Sequence, residues 1–162
     1  MFSNKPRIVK SAYSSLNAEV PLNIKAVAKV AGSAVAGSET YLTFTPDPTQ
    51  PTDTTTALKV PPDEAWIIFD VYTPVQTPAI DGYVAFRVNK KDQNITFGPL
   101  SATYKNTYGY LELQSAISAD PNSEVQSKYV IDVANGATTA TTVSVNIRIK
   151  RVPKGYTGQL SL

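Results

Sequence analysis

The last third of the chain carries the clearest alternation: Val143, Val145, Ile147 and Ile149 interleave with Ser144, Asn146, Arg148 and Lys150. A period of two predicts a strand with one face in the core and the other in water. The same period runs through Tyr83–Asn89, where Val84, Phe86 and Val88 point inward. The polar stretch Asn89–Gln93 then leads back through Ile95 and Phe97, predicting a hairpin. Between Tyr108 and Gln114, Leu111 and Leu113 share one face while Tyr110, Glu112 and Gln114 share the other. Further strands are expected over Val125–Val133, after the turn Ala119–Ser123, and from Tyr41, where Leu42 and Phe44 oppose Tyr41, Thr43 and Thr45. Ala65–Tyr72 is nearly continuous in β-branched and aromatic residues, bounded by Pro61-Pro62 and Pro74. An unbroken apolar run of strand length predicts a central strand covered on both faces.

Residues 24–37 fit two templates. Ile24, Ala26, Ala28 and Val30 suit a strand, whereas Ile24, Val27, Ala28 and Ala31 suit a helix face. Gly32 and Gly37 shorten any helix, so a strand ending near Val30 is favoured. Three prolines between Pro46 and Pro51 deny backbone donors, which makes 46–56 a surface loop. Its length suits a crossover between sheets better than a tight meander. Residues 1–22 and 153–162 show no sustained period and are expected to be extended arms flanking a single domain, 23–152. Eight or nine short strands, no helix and no internal repeat select an all-β fold, an antiparallel β-sandwich of jelly-roll type.

Composition narrows the chemistry. The chain has 162 residues, with no histidine and no cysteine, which removes Ser-His, Cys-His, zinc-thiolate and disulfide schemes together. Carboxylates are the remaining acid–base groups. Asp63, Glu64, Asp70, Glu112 and Asp132 are expected to cap a turn, lie on solvated faces or pair with Arg87 and Arg148, rather than to form a glycosidase pair. Asp47, Asp53 and Asp92 lack the spacing of a calcium loop, and no metal or cofactor is expected. Asn94-Ile-Thr96 matches a glycosylation sequon, but without an export signal it reads as a chance match in a Thr-rich strand. Fifteen Lys and Arg against thirteen Asp and Glu leave a net charge of +2, too little for a broad positive field, so no specific nucleic-acid partner is expected. Lys90-Lys91 and Arg148-Ile-Lys150-Arg151 are short basic groups, read as a hairpin tip and a solvated strand face, with phosphate contact as the alternative. The N-terminus lacks the apolar run of a secretory signal, and no run is long enough for a membrane helix. A protein that is not exported and not inserted in a membrane is the expectation.

Nine tyrosines stand beside five phenylalanines and one tryptophan. Tyr41, Tyr83 and Tyr110 fall on outward positions, where a large ring with a polar tip serves a protein interface or a sugar. In the arms, Ile8, Val9, Leu16, Tyr156 and Leu160 are the apolar residues available to bury on a neighbour.

The run Leu58–Tyr72 with its Pro-led turn before Trp66, followed by Val84–Val88, Tyr110–Gln114 and Thr141–Arg151, resembles the jelly-roll proteins of virus particles. The similarity covers residues 56–152. Where many of those proteins have a glycine-aspartate turn after the Leu-x-Leu strand, this chain has Ser115-Ala-Ile-Ser-Ala-Asp-Pro121. The resemblance implies a non-enzymatic component of a virion, a minor capsid, cement or decoration protein assembled in the host cytoplasm. It further implies a homo-oligomer, favouring a trimer, that binds other capsid proteins. The alternative is a carbohydrate-binding or host-attachment module using Tyr83, Tyr110 or Trp66 on a host glycan.

Overall fold

The computed structural model describes residues 22–72, 82–97 and 116–154. These form β1 Leu22–Val30, β2 Glu39–Tyr41, β3 Thr43–Thr45, β4 Leu58–Lys59 and β5 Glu64–Tyr72. The remainder are β6 Gly82–Val88, β7 Lys91–Phe97, β8 Ile117–Ala119, β9 Glu124–Ile131 and β10 Thr141–Pro153. All pairings are antiparallel, in two sheets. Sheet A runs β3-β1-β10-β5-β8 and sheet B runs β2-β9-β6-β7, with β4 continuing the β2 side of β9. First pairs with last, β2 and β4 with β9, β5 with β8, and β6 with β7. This nested pairing is a long hairpin rolled up on itself, the strand order of a jelly roll.

Both sheets turn alternate residues inward. Ile24, Ala26 and Ala28 of β1 pair in register with Ile147, Val145 and Val143 of β10, and these six, with Val30 and Ile149 at the ends of the same inward rows, are buried. From sheet B come Val84, Phe86, Phe97, Val125, Tyr129 and Ile131. Phe86 and Phe97 meet edge to face, with centroids 5.6 Å apart and ring planes at 84°, the arrangement aromatic quadrupoles prefer. Each fully buried aliphatic or aromatic side chain contributes about 1.5–3 kcal/mol, so the interdigitated layers hold the sheets together. Residues 24–37 resolve as a strand to Val30 followed by a loop, the reading favoured by the alternation of Ile24, Ala26, Ala28 and Val30 and by Gly32 and Gly37.

The expected strand from Tyr41 is interrupted. Glu39–Tyr41 pairs with β9 in sheet B, Leu42 N–H still donates to Ser127 O (2.9 Å), and Thr43–Thr45 then pairs with β1 in sheet A. Leu42 and Phe44 stay fully buried through this corner, because a strand that changes sheets keeps its apolar side toward the shared core. The Pro/Thr loop beyond it returns to place β4 in sheet B and β5 in sheet A, the expected crossover. At the loop's start, the Asp47 carboxylate accepts hydrogen bonds from Thr49 N–H and Oγ1.

In β5 both faces are covered. Trp66, Ile68 and Val71 join the main core, while Ala65, Ile67 and Phe69 form a second cluster with Val152 on the outer side. Between Arg148 and Ile149 the register with β5 shifts. A bulge there lets Phe69 and Asp70 share the outer face before Val71 returns inward.

The β6–β7 hairpin is tighter than the five-residue polar turn predicted. Val88 pairs with Lys91, leaving Asn89 and Lys90 as a two-residue turn with φ of 50° and 65°. Positive φ at both central positions matches the strand twist, and it favours Asn first and Gly second. Asn89 also ties the tip to β9, its Oδ1 accepting from Glu124 N–H at 2.9 Å. Gly82 is required for a different reason: an added Cβ would lie 2.3 Å from Val130 O.

The loops that close the sandwich at one end are joined by Asn135, which is buried. Its Nδ2 donates to Ala31 O at 2.9 Å and to Thr141 Oγ1 at 3.3 Å. Its Oδ1 accepts from Ala137 N–H at 3.0 Å, and its own N–H donates to Ala34 O at 2.8 Å. Gly32 passes beneath, where a Cβ would sit 2.3 Å from Thr138 O.

Two stability changes are expected. Lys90→Gly relieves the left-handed strain and raises stability by about 1 kcal/mol, a Tm increase of roughly 2–4 °C by calorimetry. Asn135→Ala strands buried backbone groups of both loops and lowers urea-unfolding stability by about 2–3 kcal/mol.

Candidate functional site

Among the outward tyrosines, Tyr41 and Tyr83 lie on the same outer face of sheet B, on either side of β9. Tyr41 pairs with Lys128 and Tyr83 with Val130. Tyr41 is 42% exposed, and Tyr83 is half-buried. Ile8, Val9, Leu16, Tyr110, Tyr156 and Leu160 lie outside the described residues.

Tyr41 is the centre of a polar network. Its hydroxyl accepts a hydrogen bond from Arg87 Nη1 at 2.8 Å, and Lys128 Nζ lies 5.8 Å from its ring centroid. Arg87 also donates through Nη2 to Lys90 O at 2.7 Å. Its Nε lies 2.9 Å from Asp92 Oδ1, an ion pair in which the N–H is not aimed along a hydrogen bond. Lys128 is 3.0 Å from Glu39 Oε2 and 3.6 Å from Asp92 Oδ1. The Glu39 hydrogen bond raises the Lys128 pKa, outweighing the opposing effect of burial. Asp92 is brought here by the two-residue turn, which pairs Val88 with Lys91 and so Arg87 with Asp92. Glu39, Arg87, Asp92 and Lys128 were not foreseen as one group. Their convergence depends on strand order and on that tight turn, neither of which periodicity reveals.

On the outer face of sheet A, Arg148 Nη1 donates to Asp70 Oδ2 at 3.3 Å, one of the carboxylate–arginine pairings expected. Arg148 and Lys150 both lie over the Phe69 ring, at 5.3 Å from its centroid. Burial pushes the Asp70 pKa up, and the Arg148 hydrogen bond and charge only partly offset that.

Asp63 and Glu64, with Arg151, Val152 and Pro153, line an open hollow of about 160 Å³. Glu64 N–H closes a turn to Pro61 O, and its Oε2 accepts the Trp66 indole N–H at 3.0 Å while Oε1 lies 3.9 Å from Arg151. The hollow is below the ~300 Å³ at which small-molecule sites begin. Its two carboxylates are chain neighbours rather than groups facing each other across a cleft. Trp66 is buried and offers no face to a sugar. Among the described residues no three metal-binding side chains cluster, and no helix is long and apolar enough to cross a membrane.

Comparison with protein families finds no family model that matches the chain. No curated protein matches it either.

The Asp70 environment carries a pH consequence. A raised carboxyl pKa means that the folded state binds this proton more tightly than the unfolded chain does. Asp70 therefore favours folding most at acid pH, and that contribution is lost as pH rises from the ordinary 3.8 through the folded value. Asp70→Asn, which mimics the protonated form, is expected to gain on the parent at pH 7 and to lose that advantage as pH falls through this window. Paired urea titrations at pH 7 and pH 4 check this; an advantage that grows on acidification contradicts it.

Proposed function

We propose that this chain is a non-enzymatic building block of a virus particle, a minor capsid, cement or decoration protein. The observation that carries the reading is the nested jelly-roll strand order. It makes a two-layer body whose inner and outer sheet faces follow alternation except at the β5 bulge. In the proposed role the body forms a homo-oligomer, with a trimer favoured, and the arms order upon neighbouring subunits. They are shorter than the expected 1–22 and 153–162, because Leu22 pairs with Ile149, Pro153 with Glu64, and Lys154 N–H donates to Asp63 O within this chain, which leaves 1–21 and 155–162. Burial of Ile8, Val9, Leu16, Tyr156 and Leu160 offsets the entropy lost by those arms. Tyr41 and Tyr83 belong to a lateral contact on sheet B, where Arg87 and Lys128 hold Tyr41 in place before a partner arrives. The glycan-binding alternative has less support, because Trp66 is internal and both the ring and the hydroxyl of Tyr41 are engaged.

Native mass measurement of the full chain and of a variant lacking residues 1–20 tests the role of the arm. The expected result is an oligomer for the full chain and a shift toward monomer for the variant. The thermal midpoint should stay within about 2 °C, less than 1 kcal/mol changes in a domain this size. Loss of both oligomer and stability, or of neither, overturns the arm assignment.

A further inference from the structure

The weak net charge of the chain conceals a segregation of charge between the two outer faces. On sheet A, the outward residues of β1 are Asn23, Lys25, Val27 and Lys29, and those of β10 include Thr142, Ser144, Asn146, Arg148 and Lys150. Among the outward strand positions of sheet A, Asp70 is the one carboxylate, and Arg148 takes it. Lys25, Lys29, Arg148 and Lys150 thus stand against a single negative charge, an excess larger than the +2 of the entire chain. The sheet B face is balanced instead, with Lys59, Arg87 and Lys128 against Glu39, Asp92 and Glu124.

An aromatic ring lies within the basic face. Register places Thr45, Lys25, Asn146 and Tyr72 in one row across four strands, and Tyr72 is 48% exposed. Two strand spacings separate the Lys25 and Tyr72 backbones, about 10 Å. The next row carries Asn23, Arg148 and Asp70. Between the cations are hydroxyl and amide side chains rather than carboxylates.

We propose that this face of sheet A binds single-stranded nucleic acid without sequence preference, Lys25, Lys29, Arg148 and Lys150 meeting phosphates and Tyr72 stacking on a base. Flat basic surfaces with an exposed ring bind single strands in this way, since every base offers a π-face. An acidic peptide or an anionic membrane would use the cations but offers no run of planar bases to stack on the ring. Double-stranded DNA presents its bases stacked and closed to it. The sequence alone argued against a nucleic-acid partner because net charge averages the two faces; the fold separates them.

The test is anisotropy of a labelled oligothymidylate of about 20 nucleotides, longer than one typical single-strand site, titrated with the full chain at several salt concentrations. Four phosphate contacts predict a log–log salt slope of about −3, hence roughly 50-fold weaker binding at 200 mM than at 50 mM salt. Lys25→Ala with Lys29→Ala should halve that slope, while Lys59→Ala on the opposite sheet leaves it unchanged. Tyr72→Ala should weaken binding about tenfold at constant slope, the effect of one lost stacking contact. All four positions are exposed, and a melting curve of each variant verifies folding. The proposal is overturned by absence of binding at 50 mM salt or by a slope indifferent to Lys25 and Lys29. It is also overturned by an unaffected Tyr72→Ala variant, or by preference for heparin or phosphatidylserine vesicles over the oligonucleotide. None of these outcomes depends on the oligomer or its arms, so the subunit role stands or falls separately.

Discussion

The pairing of the first described strand with the last is the constraint on which the rest of the structure depends. β10 is hydrogen-bonded to β1 on one side and to β5 on the other, and a buried strand without either neighbour would leave a row of backbone groups unsatisfied. Once Leu22–Val30 and Thr141–Ile149 are in register, the inner pairs of the nested hairpin have fixed positions. β2 and β4 must flank β9, and β5 must flank β8. The loops beside Asn135 close the same end, joining the chain leaving β1 to the chain entering β10. Such pairing is almost wholly non-local, so loop-closure entropy is met before the contacts that compensate it are formed, and slow folding follows from the topology.

Elements whose burial follows a period of two were legible in the chain: β10, β6 and the inward set of β1. The two-sided β5 was legible too, because Ala65–Tyr72 has no polar residue until Asp70. What escaped was geometry that periodicity does not encode. The break at Leu42 keeps the alternation intact and only changes which sheet supplies the partner. The hairpin tip closed on Asn89-Lys90 although the sequence offers Lys where Gly is preferred, since the twist of the flanking strands decides the turn. At the bulge, Phe69 and Asp70 face the same way, against simple alternation, and this brings the carboxylate beside Arg148.

The candidate surfaces were legible in part. Tyr41 and Tyr83 were placed outward from alternation alone, and both are on the sheet B face. Their neighbours were not, because Glu39, Arg87, Asp92 and Lys128 come from four strands. The distribution of charge was not legible for a related reason. A sum over the chain cannot distinguish a mixed surface from two faces of different character, and only strand order assigns Lys25 and Lys150 to the same side.

The two faces also differ in what their charges do. Exposed ion pairs contribute about 0–1 kcal/mol each, so the sheet B network adds little to stability despite its short distances. Its consequence is conformational. With its hydroxyl on Arg87 and its ring beside Lys128, Tyr41 has already lost the rotamer freedom that a contact would otherwise cost. On sheet A, Lys25 and Lys29 extend into solvent from a strand whose other side is the core. Polar, pre-ordered groups suit a contact of fixed geometry with a protein surface, whereas unpaired lysines beside an exposed ring suit a partner that is charged, flexible and variable in sequence. Because alternation isolates each outer face from the core, the two surfaces can be altered independently without disturbing the packing between them.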